Sequence, residues 1–155
     1  RILWPLFFHL VACQHEGIAV YEAADGSLSV RSGNPSHGAV AWGTFEDNLN
    51  VTGWGILDVE TSGSYSDQKQ HLAAGMVEGY LTARHIHSAY VNALGYVFHG
   101  NVSQPSLKFL ADQMAWAQAQ SLANPTDLLW QHTSALLSQF DGLVMGYELI
   151  AKSGH

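Results

Sequence analysis

The first third of the chain alternates between apolar and polar positions in the manner of β-strands. Two such runs, at residues 18–20 and 28–30, flank Asp25-Gly26, which is typical of a type I′ turn. The pattern predicts a β-hairpin over residues 17–33. Residues 54–61, "WGILDVET", are rich in β-branched and aromatic side chains and apolar on both faces, which predicts a central strand.

Helical spacing appears first at one short stretch and then dominates the chain. Trp42, Phe45 and Leu49 stand at i, i+3 and i+7, which predicts a short amphipathic helix. Residues 71–94 predict one long helix or a broken pair. Residues 126–152 predict a last helix that is kinked at Gly142.

A further helix is expected between these two. Ser103 is a suitable N-cap, with Pro105 in the first turn, and an apolar stripe follows at Leu107, Leu110, Ala111, Met114 and Ala117. Strands therefore come first and helices after them, which predicts an α+β fold with its sheet near the N-terminus.

Composition narrows the class of protein. The 155 residues suit one domain, and 47% of them are hydrophobic. Six Lys and Arg against thirteen Asp and Glu give a formal charge of −7, and no basic stripe exists, so nucleic acid is not expected as a partner. Nine histidines make this charge sensitive to acidification, which suits an acidic compartment.

The N-terminal residues 1–15 resemble what is left of a signal peptide. A basic start at Arg1 precedes an apolar run over residues 2–12, which is too short to span a bilayer. Two alternatives are a first buried strand and a lipoprotein signal in which "LVAC" ends at Cys13. We expect export and no transmembrane span, and both ends of the chain look cut. Cys13 is the only cysteine, so no intrachain disulfide can form.

His85 and His87 raise the question of a metal site. On a helix, side chains two residues apart diverge by about 200°, so the two histidines cannot chelate one ion together. Neither has a metal-binding partner at i±3 or i±4, and no HExxH motif occurs. We therefore expect surface or interface histidines, no metal and no cofactor.

Gly75 and Gly79 are four residues apart and are surrounded by alanines. Each glycine costs a helix up to about 1 kcal/mol relative to alanine, so a compensating close contact is expected. Tight packing within the molecule is favoured over an oligomer contact. Glu78, between them, is expected to make a structural hydrogen bond, with general acid/base chemistry as the alternative. Arg84 is too far round the helix for a certain pairing.

The last helical run also contains side chains that could support catalysis. Trp130, His132 and Asp141 occur there with several hydroxyl groups, so a Ser-His-Asp triad is conceivable. The GxSxG nucleophile motif is missing, however, and we expect buried His132 and Asp141 to belong to a structural network instead.

Two sequons indicate glycosylation. Asn50-Val51-Thr52 and Asn101-Val102-Ser103 match N-x-[ST] in predicted loops, whereas Asn34 and Asn124 are each followed by proline. We expect Asn50 and Asn101 to be glycosylated if the protein is exported in a eukaryote.

Three segments carry a family resemblance. "NLNVTGWGILDVET" (48–61), "AAGMVEGYLTARHI" (73–86) and "LLWQHTSALLSQFDGLVMGYE" (128–148) resemble, in order and spacing, the N-terminal part of the phospholipase B-like (lamina ancestor) family. The resemblance covers residues 17–152. It implies that residues 16–155 form the N-terminal part of an incomplete domain.

The resemblance implies a fold and an activity. The family has the αββα sandwich of the N-terminal nucleophile hydrolases, of which this chain would supply part. The family is exported or lysosomal, is glycosylated and is cut from a precursor. A cysteine exposed at the head of the downstream part is its nucleophile, with its own α-amino group as base. The implied substrates are phospholipids, which lose acyl chains by ester or amide hydrolysis.

No catalytic residue is expected within this chain. The nucleophile position lies beyond His155, and Cys13 is at the wrong end to replace it. The resemblance makes Trp54, Gly75, Glu78, Trp130, His132, Asp141 and Gly142 framework residues or walls of the pocket. The expected partner is the C-terminal part of the same precursor, and the fragment alone should be inert. Two alternatives remain, namely an amidase of the same fold acting on small amides and a non-catalytic lysosomal or secreted binding protein.

Overall fold

The fold is known from a computed structural model that describes residues 15–35 and 37–152. The predicted signal remnant and Cys13 lie outside the described residues. The elements in chain order are β1 (His15–Glu22), β2 (Leu28–Ser32), β3 (Ala39–Asn48), α1 (Leu49–Thr52), β4 (Trp54–Thr61), α2 (Asp67–Leu81), α3 (Ala83–Asn92), α4 (Gln104–Ala123) and α5 (Leu128–Lys152). Strands precede the long helices, so the α+β prediction is confirmed.

The four strands form one antiparallel sheet in the order β2-β1-β3-β4. The predicted hairpin is present, with Ile18 opposite Ser32 and Glu22 opposite Leu28. The type I′ turn is wrong, because Gly26 has φ +83° but Asp25 does not have a positive φ. Instead, the amide of Gly26 donates to the carbonyl of Ala23, and a longer connection joins the strands.

The predicted amphipathic helix around Trp42 and Phe45 is wrong. These residues belong to β3, which pairs with β1 on one side and with β4 on the other. Spacing of three residues places Trp42 and Phe45 on opposite faces of a strand, and each face is partly covered by apolar neighbours. Pairing with two strands outweighs a weak local helical pattern.

β4 is at one edge of the sheet that the described residues form. The prediction that it is a central strand is therefore wrong for the described part of the sheet. One of its faces meets the core through Leu57 and Val59. The other face carries Trp54 and Ile56, which are 75% and 52% exposed. The apolar residues that suggested a central position are thus real, but half of them face outwards.

The core lies between the sheet and α2. Its largest fully buried side chains are Val20, Val40, Met76 and Val77. A β-bulge between β1 and β3 moves the register at Val20 and Tyr21. Gly43 on β3 allows close approach of α2, since a methyl group there would lie 2.7 Å from Cγ1 of Val77.

α2 and α5 pack against each other through glycines on both helices. A methyl group at Gly75 would lie 1.9 Å from the carbonyl oxygen of Gln139, and one at Gly142 would lie 2.0 Å from that of Leu72. The predicted close packing of Gly75 and Gly79 is therefore confirmed. α5 continues through Gly142, which makes room for α2, and the kink expected there stays a prediction.

α3 and α4 are mostly exposed. Residues 71–94 form a broken pair, α2 and α3, and a π-helical turn over Ala93–Val97 follows. The Ser103 side chain caps α4 as predicted, accepting a hydrogen bond from the amide of Ser106. The predicted apolar stripe of α4 is largely exposed, as at Leu107 and Leu110. None of the described helices is long and apolar enough to cross a membrane.

Candidate functional site

The α2–α5 seam carries a chain of polar contacts between the two helices. Nδ1 of His71 lies 3.3 Å from Oε1 of Gln139, and Nε2 of Gln139 donates to Oε2 of Glu78 at 3.4 Å. Gln68 donates to the hydroxyl of Ser134 at 3.0 Å nearby. Glu78 thus makes the structural hydrogen bond expected of it, and its contact is Gln139 rather than Arg84.

A cleft opens beside this seam, where β4 passes α2. Its volume is about 300 Å³, and its walls come from three elements. The lining residues are Val59, Thr61, Asp67, Gln70, His71, Ala74 and Gln139. Among them, Thr61 donates from its hydroxyl to Oε1 of Gln70 at 2.8 Å, and Gln70 donates to the carbonyl of Tyr65 at 2.8 Å.

His85 and His87 point to different partners. Nε2 of His85 lies 3.0 Å from Oδ2 of Asp47, and its ring meets Phe45 edge-on at 5.4 Å. Nδ1 of His87 lies 3.3 Å from the hydroxyl of Tyr147 on α5. Their predicted divergence on a helix is confirmed, and the described residues contain no group of three potential metal ligands.

The residues of α5 that suggested a triad do not form one. His132 and Asp141 are both exposed, so the prediction that they are buried is wrong. They are nine positions apart on the helix, and the packing of α5 against α2 buries its glycine face instead. Trp130 is half-buried and meets Trp116 of α4 edge-on at 5.6 Å, which ties the two helices together.

Trp54 is one of the exposed residues among the predicted pocket residues. It begins β4 after Gly53, whose φ of +82° ends the short helix α1. Its amide donates to the Thr52 hydroxyl at 3.3 Å, which fixes the backbone while the indole stays 75% exposed. The substrate pocket itself stays a prediction, with the expected lining residues Trp54, Glu78, Trp130, His132 and Asp141.

Both sequon asparagines are at the surface. Asn50 is exposed in the single turn of α1, and Asn101 is exposed in the loop before α4. The loop prediction is therefore right for Asn101, whereas Asn50 lies in a helical turn. Glycosylation of either residue stays a prediction.

Sequence reasoning missed His71 and Gln139, which meet across the seam from positions 68 residues apart. One signal was available. Gly142 and Gly146 repeat the four-residue spacing of Gly75 and Gly79, and two such faces pack closely together. Pairing the two motifs would have placed the neighbouring polar residues of both helices side by side.

Comparison with known proteins gives one consistent family. The model of the family described as Phospholipase B matches residues 41–155. Phospholipase B-like protein E of Dictyostelium discoideum is 32% identical over 136 residues, which is 84% of this chain and 24% of that protein. Phospholipase B-like 1 of Homo sapiens is 29% identical over 136 residues, 83% of this chain and 24% of that protein.

A third relative supports the same assignment. Phospholipase B of Crotalus adamanteus is 32% identical over 110 residues, covering 68% of this chain and 20% of its own length. The chain thus spans about a quarter of the length of the curated relatives that it matches. Since the family model covers most of the chain, this protein belongs to the phospholipase B family.

Proposed function

We propose that this chain is the N-terminal part of a phospholipase B-like hydrolase that removes acyl chains from phospholipids. The observation that carries the proposal is the match of the family model to residues 41–155, supported by relatives named phospholipase B. The αββα sandwich of the N-terminal nucleophile hydrolases is the architecture we propose for the complete domain.

The surface of the sheet supports a partner from the same precursor. Within the described residues β4 has a neighbour on one side only, and its outward face presents Trp54 and Ile56. A strand with an open edge and an apolar face is a site for pairing with further strands. We propose that the C-terminal part of the precursor adds strands here and covers this face.

The proposed chemistry requires a cysteine downstream of His155. Its thiol would attack the carbonyl carbon of an acyl ester, with the proton passing to the α-amino group that precursor cleavage frees. The alcohol of the lysolipid would leave with a proton, and water would then release the fatty acid and restore the thiol. Trp54 would be a wall of the pocket, and Glu78 would hold the helices behind it.

Cleavage and activity of the intact protein test this proposal together. The candidate cysteine is replaced by alanine, and Cys13→Ala serves as the matched control. We expect the first variant to lose both precursor cleavage, seen by mass spectrometry, and fatty-acid release from phosphatidylcholine, while the control keeps both. Retained cleavage and hydrolysis in the first variant would contradict the proposed nucleophile.

The two alternatives predict different observations. Ammonia or amine release from small amides, without fatty-acid release, would favour an amidase of the same fold. The replacement of the downstream cysteine by another residue in the natural sequence would favour a non-catalytic binding protein.

We further propose that the protein is exported to the lysosome or the extracellular space and glycosylated at Asn50 and Asn101. Both side chains are exposed, which enzymatic transfer of a glycan requires. Asn50→Gln and Asn101→Gln should each remove one glycan mass from the secreted protein. Asn34→Gln is the matched control, because Pro35 follows it and no mass should be lost.

A further inference from the structure

The cleft between β4 and α2 has the size of a small-molecule site. Its volume of about 300 Å³ lies at the lower end of the range for such sites, about 300–1,000 Å³. Val59 and Ala74 are its apolar lining residues, and the other lining residues are polar. Nothing in the proposed acyl-transfer chemistry uses this cleft.

Two hydrogen-bond donors of the cleft, on Thr61 and Gln70, already have acceptors within the protein. The hydroxyl of Thr61 donates to Oε1 of Gln70, and Nε2 of Gln70 donates to the carbonyl of Tyr65. A hydroxyl that donates still has lone pairs to accept with. Thr61 therefore presents an acceptor to a bound molecule.

The contacts of Gln139 fix the tautomer of His71. Because the amide nitrogen of Gln139 donates to Glu78, its oxygen must face His71. Nδ1 of His71 consequently carries the proton and donates to that oxygen. In the neutral ring Nε2 is then an acceptor, and His71 lines the cleft.

Asp67 supplies the charge of the site. It stands in the first turn of α2 and, among the described residues that line the cleft, is the only acidic or basic one apart from His71. Its carboxylate lies where a helix N-terminus favours an anion, so it can pair there with a cation. The cleft thus offers a carboxylate and two neutral acceptors, which suits a ligand rich in donors.

We propose that this cleft binds an amino alcohol through its ammonium group. The alcohol oxygen of this ligand is either a free hydroxyl group or part of an ester. The ammonium group donates to Asp67 and to Nε2 of His71, and the carbon chain lies on Val59 and Ala74. Two sources share this chemistry, namely a free amino alcohol and the headgroup of an aminophospholipid. The inference does not rest on the proposed hydrolase, because it uses only the geometry of the described residues.

Titration calorimetry of the intact protein with ethanolamine tests the site. We expect saturable binding with a Kd in the millimolar range, which Asp67→Asn weakens about tenfold because the paired charge is lost. Asp58→Asn is the matched control, since Asp58 is an exposed aspartate on β4 outside the cleft, and it should leave the Kd unchanged. Ala74→Leu, which adds bulk to the lining without removing a side-chain hydrogen bond, should also abolish binding.

Vesicles separate the two sources. Flotation is compared for vesicles of phosphatidylcholine alone and of an equal mixture with phosphatidylethanolamine, whose primary ammonium group matches the probe. Retention by the mixture alone, lost in Asp67→Asn, supports the headgroup as ligand, whereas binding of free ethanolamine only supports a soluble ligand. Absence of binding in both arms, or equal binding by Asp67→Asn and the unsubstituted protein, overturns the proposal. Because the readout is binding, it is independent of the Cys→Ala result for hydrolysis.

Discussion

α2 and α4 are both rich in apolar residues, yet they use them differently. Met76 and Val77 of α2 are completely buried between the sheet and α5, whereas Phe109 and Leu110 of α4 are each 61% exposed. Within the described part of the chain α4 packs on α5 alone, while α2 meets all four strands and two helices. Apolar composition therefore does not determine burial, and the neighbours that each helix finds in the fold do.

The contrast implies that the two regions are stabilised by different interactions. α2 is held by long-range packing, which contributes about 25 cal/mol for each Å² of apolar surface buried. α4 is held by its own backbone hydrogen bonds, by its N-cap and by packing against α5 on one side. In the intact protein that we propose, downstream residues cover the exposed faces of α4 and α5.

The largest effect is expected when residues 15–152 are produced alone. Their surface presents many large apolar residues, which include Phe109, Leu110 and Trp54, and exposed apolar surface favours association. We expect aggregation, or an expanded state that binds the dye ANS strongly, whereas the intact protein should not bind it. A cooperative melt of a monomeric fragment without ANS binding would contradict the idea of a missing cover.

A second effect concerns the glycine seam. Gly75→Ala should lower the free energy of unfolding of the intact protein by about 3 kcal/mol. The added methyl group would lie 1.9 Å from the carbonyl oxygen of Gln139, so α2 and α5 would have to move apart. Denaturant titration measures the change. Gly95→Ala is the matched control, since no atom lies within 4 Å of a methyl group there.

The expected outcome for Gly95→Ala is a change within about 0.5 kcal/mol, with helix propensity favouring alanine. Equal losses for Gly75→Ala and Gly95→Ala would show that α2 and α5 can separate at little cost. The comparison between a packed helix and a loosely attached one would then fail.

Sequence patterns predicted those features that depend on local chemistry. The Ser103 cap and the close approach at Gly75 follow from residue types at fixed spacing, whereas the spacing over residues 71–94 left a long helix and a broken pair open. The strand at Trp42 and Phe45 did not, because its pairing partners lie far away in the chain. A strand that pairs on both sides can override a helical pattern over eight residues.

The candidate cleft was hidden from the sequence for the same reason. His71 and Gln139 meet only because two glycine faces bring α2 and α5 together. His132 and Asp141 looked like network residues by type, but the helix turns them outward while Gly142 faces α2. The buried face of a helix is the one where small residues allow close contact. This face can be identified only when the glycine pair of α2 is matched with the glycine pair of α5.

A smaller effect is expected at the cap of α4. Ser103→Ala should cost about 1 kcal/mol, since the amide of Ser106 loses its acceptor at 3.2 Å. Amide hydrogen exchange in protein made without glycosylation measures this locally and avoids the change in the sequon. Ser106→Ala keeps the backbone donor and is the matched control, so faster exchange at the start of α4 should be confined to Ser103→Ala.

Exchange that rises equally in α2 would contradict the comparison. It would show that the cap stabilises the whole molecule rather than a helix that depends on local interactions. Unchanged exchange in both variants would show instead that packing on α5 suffices to hold α4.

The smallest effect is expected in the hairpin, at Asp25. Its Oδ1 accepts hydrogen bonds from the hydroxyl of Ser27 at 2.7 Å and from the Ser27 amide at 3.0 Å, which lower the pKa of the carboxyl below its ordinary value of 3.8. A lowered pKa in the folded state means that the contribution to stability is present above the ordinary value and is lost as pH falls through the folded value.

Ser27→Ala should raise the pKa of Asp25 toward 3.8 in an NMR titration, while Ser29→Ala, whose hydroxyl donates to the carbonyl of Tyr21 instead, should not. Because Asp25 is exposed, the stability of the intact protein should hardly change in either variant, in contrast to the seam at Gly75, where burial makes one methyl group decisive.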